Sequence, residues 1–352
     1  MADDIERADQ LQTSGRRLVL FGLLFLLLTG AGVYAVYHQF AGRNFEFDTQ
    51  LLSPGLLLAV SALLLVYFAS DALRLHYTLR TLGHTLPLRK IVRLVFINLF
   101  FSNITPMATG GGFAQIWYLT RHGVPVARAT AATTIRTVLA VIFIFSATPV
   151  FLLTMQAVSG DLWSSRIITA LAFFITAYLA FFLVLLFKTR WLIAPLSGII
   201  AGLHRYHAIN DCRHDRWQFK LRREMLRFSD SFGDYLKGER RYICLSVFFT
   251  ATFLLSLFSF PALLMVGLGY DVNYLLTLGL LVVTTFIMYF SPTPGASGIS
   301  EGVFGSFFQN MLTGNHLVLV TVAWRFLTIY LGMLVGLVVM HRELLKAHRR
   351  QE

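Results

Sequence analysis

A chain of 352 residues that is 56% hydrophobic and only 14% charged, with 32 phenylalanines and a mean hydropathy of +0.65, lies outside the class of ordinary soluble domains. Its formal charge of +12 excludes little by itself, because a positive-inside bias in a membrane protein produces much of such an excess without any anionic substrate. The two cysteines, Cys212 and Cys244, fall near one membrane face and imply no disulfide framework.

Taken in chain order, residues 1–16 read as a cytoplasmic N-terminus, with "MADDIERADQLQ" too acidic to precede a signal sequence. The run that follows, 18–38, exceeds a secretory apolar core and reads as an uncleaved helix. Further runs at 52–73, 129–157, 167–187, 242–267 and 315–340 reach the roughly 20 residues that a bilayer-spanning helix needs, which makes about six spans. Two more apolar regions, 91–120 and 273–312, are each broken near the middle.

Lys and Arg placement sets the orientation. Arg16 and Arg17, the set Arg80, Arg89, Lys90 and Arg93, the pair Arg121 and Arg128, the loop 188–241 and the tail 342–352 all belong on the cytoplasmic side. The short segments "AGRNFEFDTQ", "VSGDLWSS" and "GLGYDVN" then face outside. Region 91–120 has basic residues on both flanks, so it enters from the cytoplasm and returns there as a re-entrant hairpin. Region 273–312 begins and ends outside, so it enters from the opposite face. Two interrupted segments inserted in opposite directions are the signature of an inverted repeat, here 17–187 and 242–341 joined by the basic loop 188–241. The fold expected is therefore an all-α polytopic membrane protein with two oppositely oriented hairpins.

The order of special residues agrees. "TPMATGGGFAQIW" is followed by Arg136, thirty positions after Pro106; "TPGASGISEGVF" is followed by Arg325, thirty-one after Pro294. Non-helical backbone at membrane depth is tolerated only where protein or a wet cavity satisfies its polar groups, so both breaks are expected to line a cavity. New half-helices starting near Gly111 and Ser300 would present backbone N–H groups and positive dipole ends, which attract anions. The candidate substrate-binding residues at the breaks are thus Pro106, Gly110, Gly111 and Gly112 in the first, and Pro294, Gly295, Gly298 and Glu301 in the second. The competing reading of the glycines is close helix packing.

Arg136 lies about seven residues, or ~10 Å, into its helix, and Arg325 about ten residues, or ~15 Å, which puts Arg325 near the midplane. A buried arginine faces a polar cavity or a partner, and its planar fork suits phosphate; for Arg136, snorkelling to the interface is the other reading. Glu301 has three readings: a cap for its half-helix, a partner for Arg325, or a proton carrier. Asp71 and Arg74 are three apart on one helix face and form a local ion pair or contribute to the site.

In the loop 188–241, "WLIAPLSGIIAGLHRY" and "RHDRWQFKLRREMLRF" read as interfacial helices on an anionic lipid surface, not as a nucleic-acid site. His204, His207, Cys212 and His214 fit no zinc spacing, so no metal or other cofactor is expected. There is no nucleotide-binding P-loop.

The stretches "RTLGHTLPLRKIVRLVFINLFFSNITPMATGGGFAQIWYLTRHGVPVARATAATTIRTV" and "SPTPGASGISEGVFGSFF", with "AWRFLTIYLGMLVG" after them, resemble the lysylphosphatidylglycerol synthase transmembrane-region family over about residues 15–345. Its best-known member is the flippase half of the multiple peptide resistance factor. The shared elements are Pro106 to Gly112, the "HGVP" turn with Arg136, Pro292 through Gly302, and Arg325; "PMATGGG" and "ASGISEG" depart from the usual family forms. The resemblance implies a lipid transporter of the plasma (bacterial inner) membrane, both termini cytoplasmic, that moves a (glyco)phospholipid or related lipid by alternating access. It implies no aminoacyl-transfer domain after Met340 and no enzymatic activity. A lipid-modifying enzyme, or a scaffold for a lipid-synthesising partner, is the alternative from another class, and a homo-oligomer is compatible with either.

Overall fold

The computed structural model describes residues 47–154 and 232–348, with scattered helical positions at 23–38, 173–180, 197 and 217–230. Every regular element among the described residues is helical. The expected spans 18–38 and 167–187, most of the basic loop, and the four His and Cys residues from His204 to His214 lie largely or wholly outside them.

Among the described residues, four helices are long and apolar enough to cross a membrane: α1 (Pro54–Thr81), α4 (Val126–Thr154), α5 (Arg240–Gly267) and the continuous stretch of α8 (Gly314–Arg325) and α9 (Leu331–His348). They coincide with the runs 52–73, 129–157, 242–267 and 315–340. Each broken region is a helix, a short turn and a second helix: α2 (Leu88–Ile104) and α3 (Thr109–Arg121) in the first, α6 (Tyr274–Tyr289) and α7 (Ile299–Phe308) in the second. The second helices start at Thr109 and Ile299, close to the positions that composition alone indicates.

Local chemistry sets these boundaries. Asp48 Oδ1 accepts from the Gln50 N–H at 2.8 Å, and Pro54 opens α1 where its missing N–H is of no consequence. Asn273 caps α6 by accepting from the Leu276 N–H at 3.1 Å. α1 stops where Gly83 takes φ +79°, which lets the His84 N–H return to the Leu79 carbonyl at 3.0 Å.

The two turns have one backbone. Thr105-Pro106-Met107-Ala108 and Thr293-Pro294-Gly295-Ala296 each run from an extended threonine through proline into two consecutive left-handed residues, with φ of 53° and 54° in the first and 57° and 54° in the second. Thr, Pro and Ala recur at the same places, and a glycine follows at position 110 or 298. Left-handed backbone costs a non-glycine residue about 1 kcal/mol or more, so the surroundings must hold Met107, Ala108 and Ala296 there.

Packing pairs the helices in a repeating manner. α1 lies along α5, with Tyr67 stacked on Phe253 at 5.0 Å between ring centroids and edge-on to Phe260 at 5.8 Å. α2 packs on α9, and α6 packs on α4. Gly332 and Gly336 of α9 permit the first of these contacts, since a methyl group on Gly336 would strike the Phe96 carbonyl and Phe100. Phe145 and Phe286 join edge to face at 4.8 Å in the second. The two left-handed turns touch each other and both touch α2.

Candidate functional site

A cavity of about 870 Å³ opens where the two turns meet. Met107 and Ala108 of the first turn and Gly295 and Ala296 of the second form part of its wall, with further side chains from α2, α3, α4, α5 and α6, Arg74 from α1, and Ile329 from the segment between α8 and α9. Its lining is mostly apolar, with Phe113, Met288 and Ile329 among the apolar residues, and polar side chains enter it from α2, α3 and α4. Among the lining residues, Met107 and Phe113 are 66% and 56% exposed.

Three ionised side chains meet at the wall. Asp71 Oδ1 accepts from Arg74 Nε at 2.6 Å and from Arg136 Nη2 at 2.5 Å. The pair three residues apart on α1 is therefore completed by a second arginine from α4, and all three residues are at most 7% exposed. Arg136 does not snorkel. Its Nη1 donates to Gln115 Oε1 at 2.8 Å, and Gln115 Nε2 donates in turn to Asn98 Oδ1 at 2.7 Å, so one network runs from α1 through α4 and α3 to α2. The Arg74 guanidinium also lies over the Phe253 ring, 3.8 Å from its centroid, in cation–π geometry. Arg74 and Arg136 both line the cavity, while Asp71 sits behind them.

The second half is arranged differently. Arg325 and Glu301 are both fully buried, with Arg325 Nε 2.9 Å from Glu301 Oε1. The angle there is too oblique for a hydrogen bond, so the contact is an ion pair. Arg325 Nη2 donates to the Gly295 carbonyl at 2.8 Å, which ties the helix end to the left-handed turn. Glu301 Oε2 accepts from the Gly298 N–H at 2.7 Å and from Ser300 Oγ at 2.8 Å. Glu301 thus caps its half-helix and pairs with Arg325 at once. Neither residue lines the cavity. Of the two readings open for Arg325, a cavity or a partner, the arrangement is that of the partner: Glu301 supplies its counter-charge behind the second turn.

The glycine cluster divides in two. A methyl group on Gly111 would strike Ser102 and Asn98, and one on Gly110 would strike Thr105, so these two glycines let α3 lie against α2. Gly112 has open space where its Cβ would be and lines the cavity. The half-helix N-termini are partly satisfied from within: the Gly110 N–H donates to Thr105 Oγ1 at 2.8 Å, as the Gly298 N–H does to Glu301. Pro106 and Pro294 shape the turns, and of the prolines and glycines singled out from sequence only Gly112 and Gly295 reach the cavity surface.

Sequence reasoning passed over Asn98, Asn103, Gln115 and Phe253. Asn98, Asn103 and Gln115 carried a usable signal, being amide side chains inside otherwise apolar helices. Among the described residues no group of three or more His, Cys, Asp or Glu is placed to hold a metal.

Two comparisons bear on these features. The sequence profile of the family described as the lysylphosphatidylglycerol synthase TM region matches residues 16–336. A UPF0104 membrane protein of Archaeoglobus fulgidus is 24% identical to this chain over 324 residues, which cover 91% of this chain and 97% of that one.

Proposed function

The chain belongs to the lysylphosphatidylglycerol synthase transmembrane-region family, and from that membership and the cavity geometry we propose that this integral multi-pass membrane protein translocates a lipid headgroup between leaflets without altering it chemically. The observation that carries the reading is the cavity at the meeting of two helix breaks, with the guanidiniums of Arg74 and Arg136 and the exposed apolar side chains of Met107 and Phe113 in its lining. A headgroup phosphate binds at the two arginines and the acyl tails pass out beside Phe113 and Met107. A largely apolar cavity with two guanidiniums in its wall suits an amphiphile better than a soluble solute.

We read α2–α3 and α6–α7 as re-entrant hairpins of an inverted repeat in a six-span protein. Three relationships support this: the shared backbone of the two turns, the reciprocal packing of α2 on α9 and α6 on α4, and the location of the chain segments around the helices. Arg128 pairs with Asp234, and Arg93 with Glu343, on the end where α2 starts and α3 stops. Asp48, Tyr270 and His316 join at the start of α1, the end of α5 and the start of α8. The first end is rich in Lys and Arg and is read as cytoplasmic in a bacterial inner membrane, with the basic loop on anionic lipid. Rocking of one repeat against the other about the touching turns alternates access. A homo-oligomer or a lipid-synthesising partner is compatible with this scheme.

The test is a fluorescent-lipid translocation assay in proteoliposomes, comparing the wild type with Gly112→Trp. The Gly112 Cβ position faces open space, so the indole fills the cavity without disturbing helix packing. Loss of translocation with normal insertion and unfolding temperature is the expected result. Unchanged translocation with the cavity filled would argue against the site.

A further inference from the structure

Asp71, Arg74 and Arg136 combine one carboxylate with two guanidiniums, a formal charge of +1 at the cavity wall. Both arginines line the cavity although their side chains are more than nine-tenths buried. The ligand suited to a cluster of net positive charge there is an anion with oxygen atoms to offer. A monoanion neutralises the cluster; a dianion would leave excess negative charge in a low-dielectric site.

The remaining polar wall is uncharged. No carboxylate is among the described residues that line the cavity. Asn98, Asn103, Thr134 and Thr285 line it, and Asn103 uses its Nδ2 on the Leu99 carbonyl at 2.8 Å, which leaves its Oδ1 for a ligand donor. Amides and hydroxyls of this kind match hydroxyl groups in number and in donor–acceptor character. An ammonium group would enter a site of net positive charge with no carboxylate to pair with, and an unpaired charge in such surroundings is strongly disfavoured.

We propose that the cavity selects a phosphodiester monoanion carrying an uncharged, hydroxyl-bearing headgroup, and discriminates against amine-bearing headgroups such as ethanolamine or a lysyl ester. The selection rests on the reading of this cavity as the headgroup site. Arg74 and Arg136 hold the phosphodiester oxygens, and the amide and hydroxyl wall holds the headgroup and sets its specificity.

The test is competitive lipid retention on the purified full-length protein, read by native mass spectrometry, with phosphatidylglycerol, phosphatidylethanolamine and lysylphosphatidylglycerol of matched acyl chains. Glycerophosphoglycerol serves as the competitor without tails. Phosphatidylglycerol is expected to be retained about tenfold over either amine-bearing lipid. Thr134→Asp, which adds a carboxylate to the wall, should bring that ratio toward unity, and Asn103→Asp serves the same purpose if the first variant fails to fold. Equal retention of the three lipids, or a preference for an amine-bearing one, overturns the proposal. So does a preference that neither carboxylate variant changes. Efficient displacement by glycerophosphoglycerol upholds the charge rule and assigns the site to a soluble diester. Selective retention without movement in vesicles upholds it too, and counts against the transport reading alone.

Discussion

Arg136 reaches sixty-five residues back along the chain to Asp71, placing its Nη2 2.5 Å from the carboxylate oxygen that Arg74 also holds. This contact joins two spanning helices and leaves the cluster with one more positive charge than negative. The consequences are testable separately from transport.

Asp71→Asn removes the carboxylate shared by two buried guanidiniums. Breaking a buried pair in this way costs about 3 kcal/mol or more. Thermal unfolding in detergent should show a clear loss. A double-mutant cycle with Arg136→Gln should return a coupling energy of about 1 kcal/mol or more, since residues in direct contact do not act additively. Additivity would show the two side chains to be independent in the folded protein.

Glu301→Gln keeps a side-chain oxygen for the Gly298 N–H but leaves Arg325 buried without counter-charge. The expected loss is about 3–5 kcal/mol, larger than an N-cap alone is worth. Replacing both residues, as Glu301→Gln with Arg325→Met, should recover much of it. Arg325→Ala is expected to lose lipid translocation through lost folding, so its unfolding temperature must fall with its activity.

Gly111→Ala and Gly112→Ala form a matched pair one residue apart. The first methyl group strikes Ser102 and Asn98, and such overpacking costs about 1–3 kcal/mol. The second meets open space and gains up to about 1 kcal/mol of helix propensity. Chemical denaturation of the two variants should therefore give opposite signs, and equal effects would mean that α3 does not lie this close to α2.

Gly295→Ala places a Cβ on a residue with φ 57°, next to an alanine already held in the same region. The cost should be about 1–2 kcal/mol. Ala296→Gly, which relieves the neighbouring strain, should be neutral or slightly stabilising because added chain entropy opposes the gain. Unfolding temperatures of the two variants check the signs.

The sequence by itself determined the solvent, the four long helices of the described residues and the positions of the breaks. Long apolar runs with basic flanks read as helices in a bilayer, and Thr-Pro with glycine close behind it marks both breaks, whereas Pro149 and Pro261, with no glycine close behind, are accommodated inside α4 and α5. Even the start of the second half-helices at Thr109 and Ile299 could be read to within two residues, since these are local effects of backbone chemistry. Tertiary structure alone decided what each arginine does. Arg136 and Arg325 follow their prolines at nearly equal spacing, yet one lines a cavity and the other is sealed. The difference lies in which acid stands opposite: Asp71 comes from a distant helix and is shared by two cations, whereas Glu301 serves Arg325 alone. Packing likewise separated Gly110 and Gly111, which admit α2, from Gly112, which faces the cavity, because only the approach of another helix distinguishes three adjacent glycines.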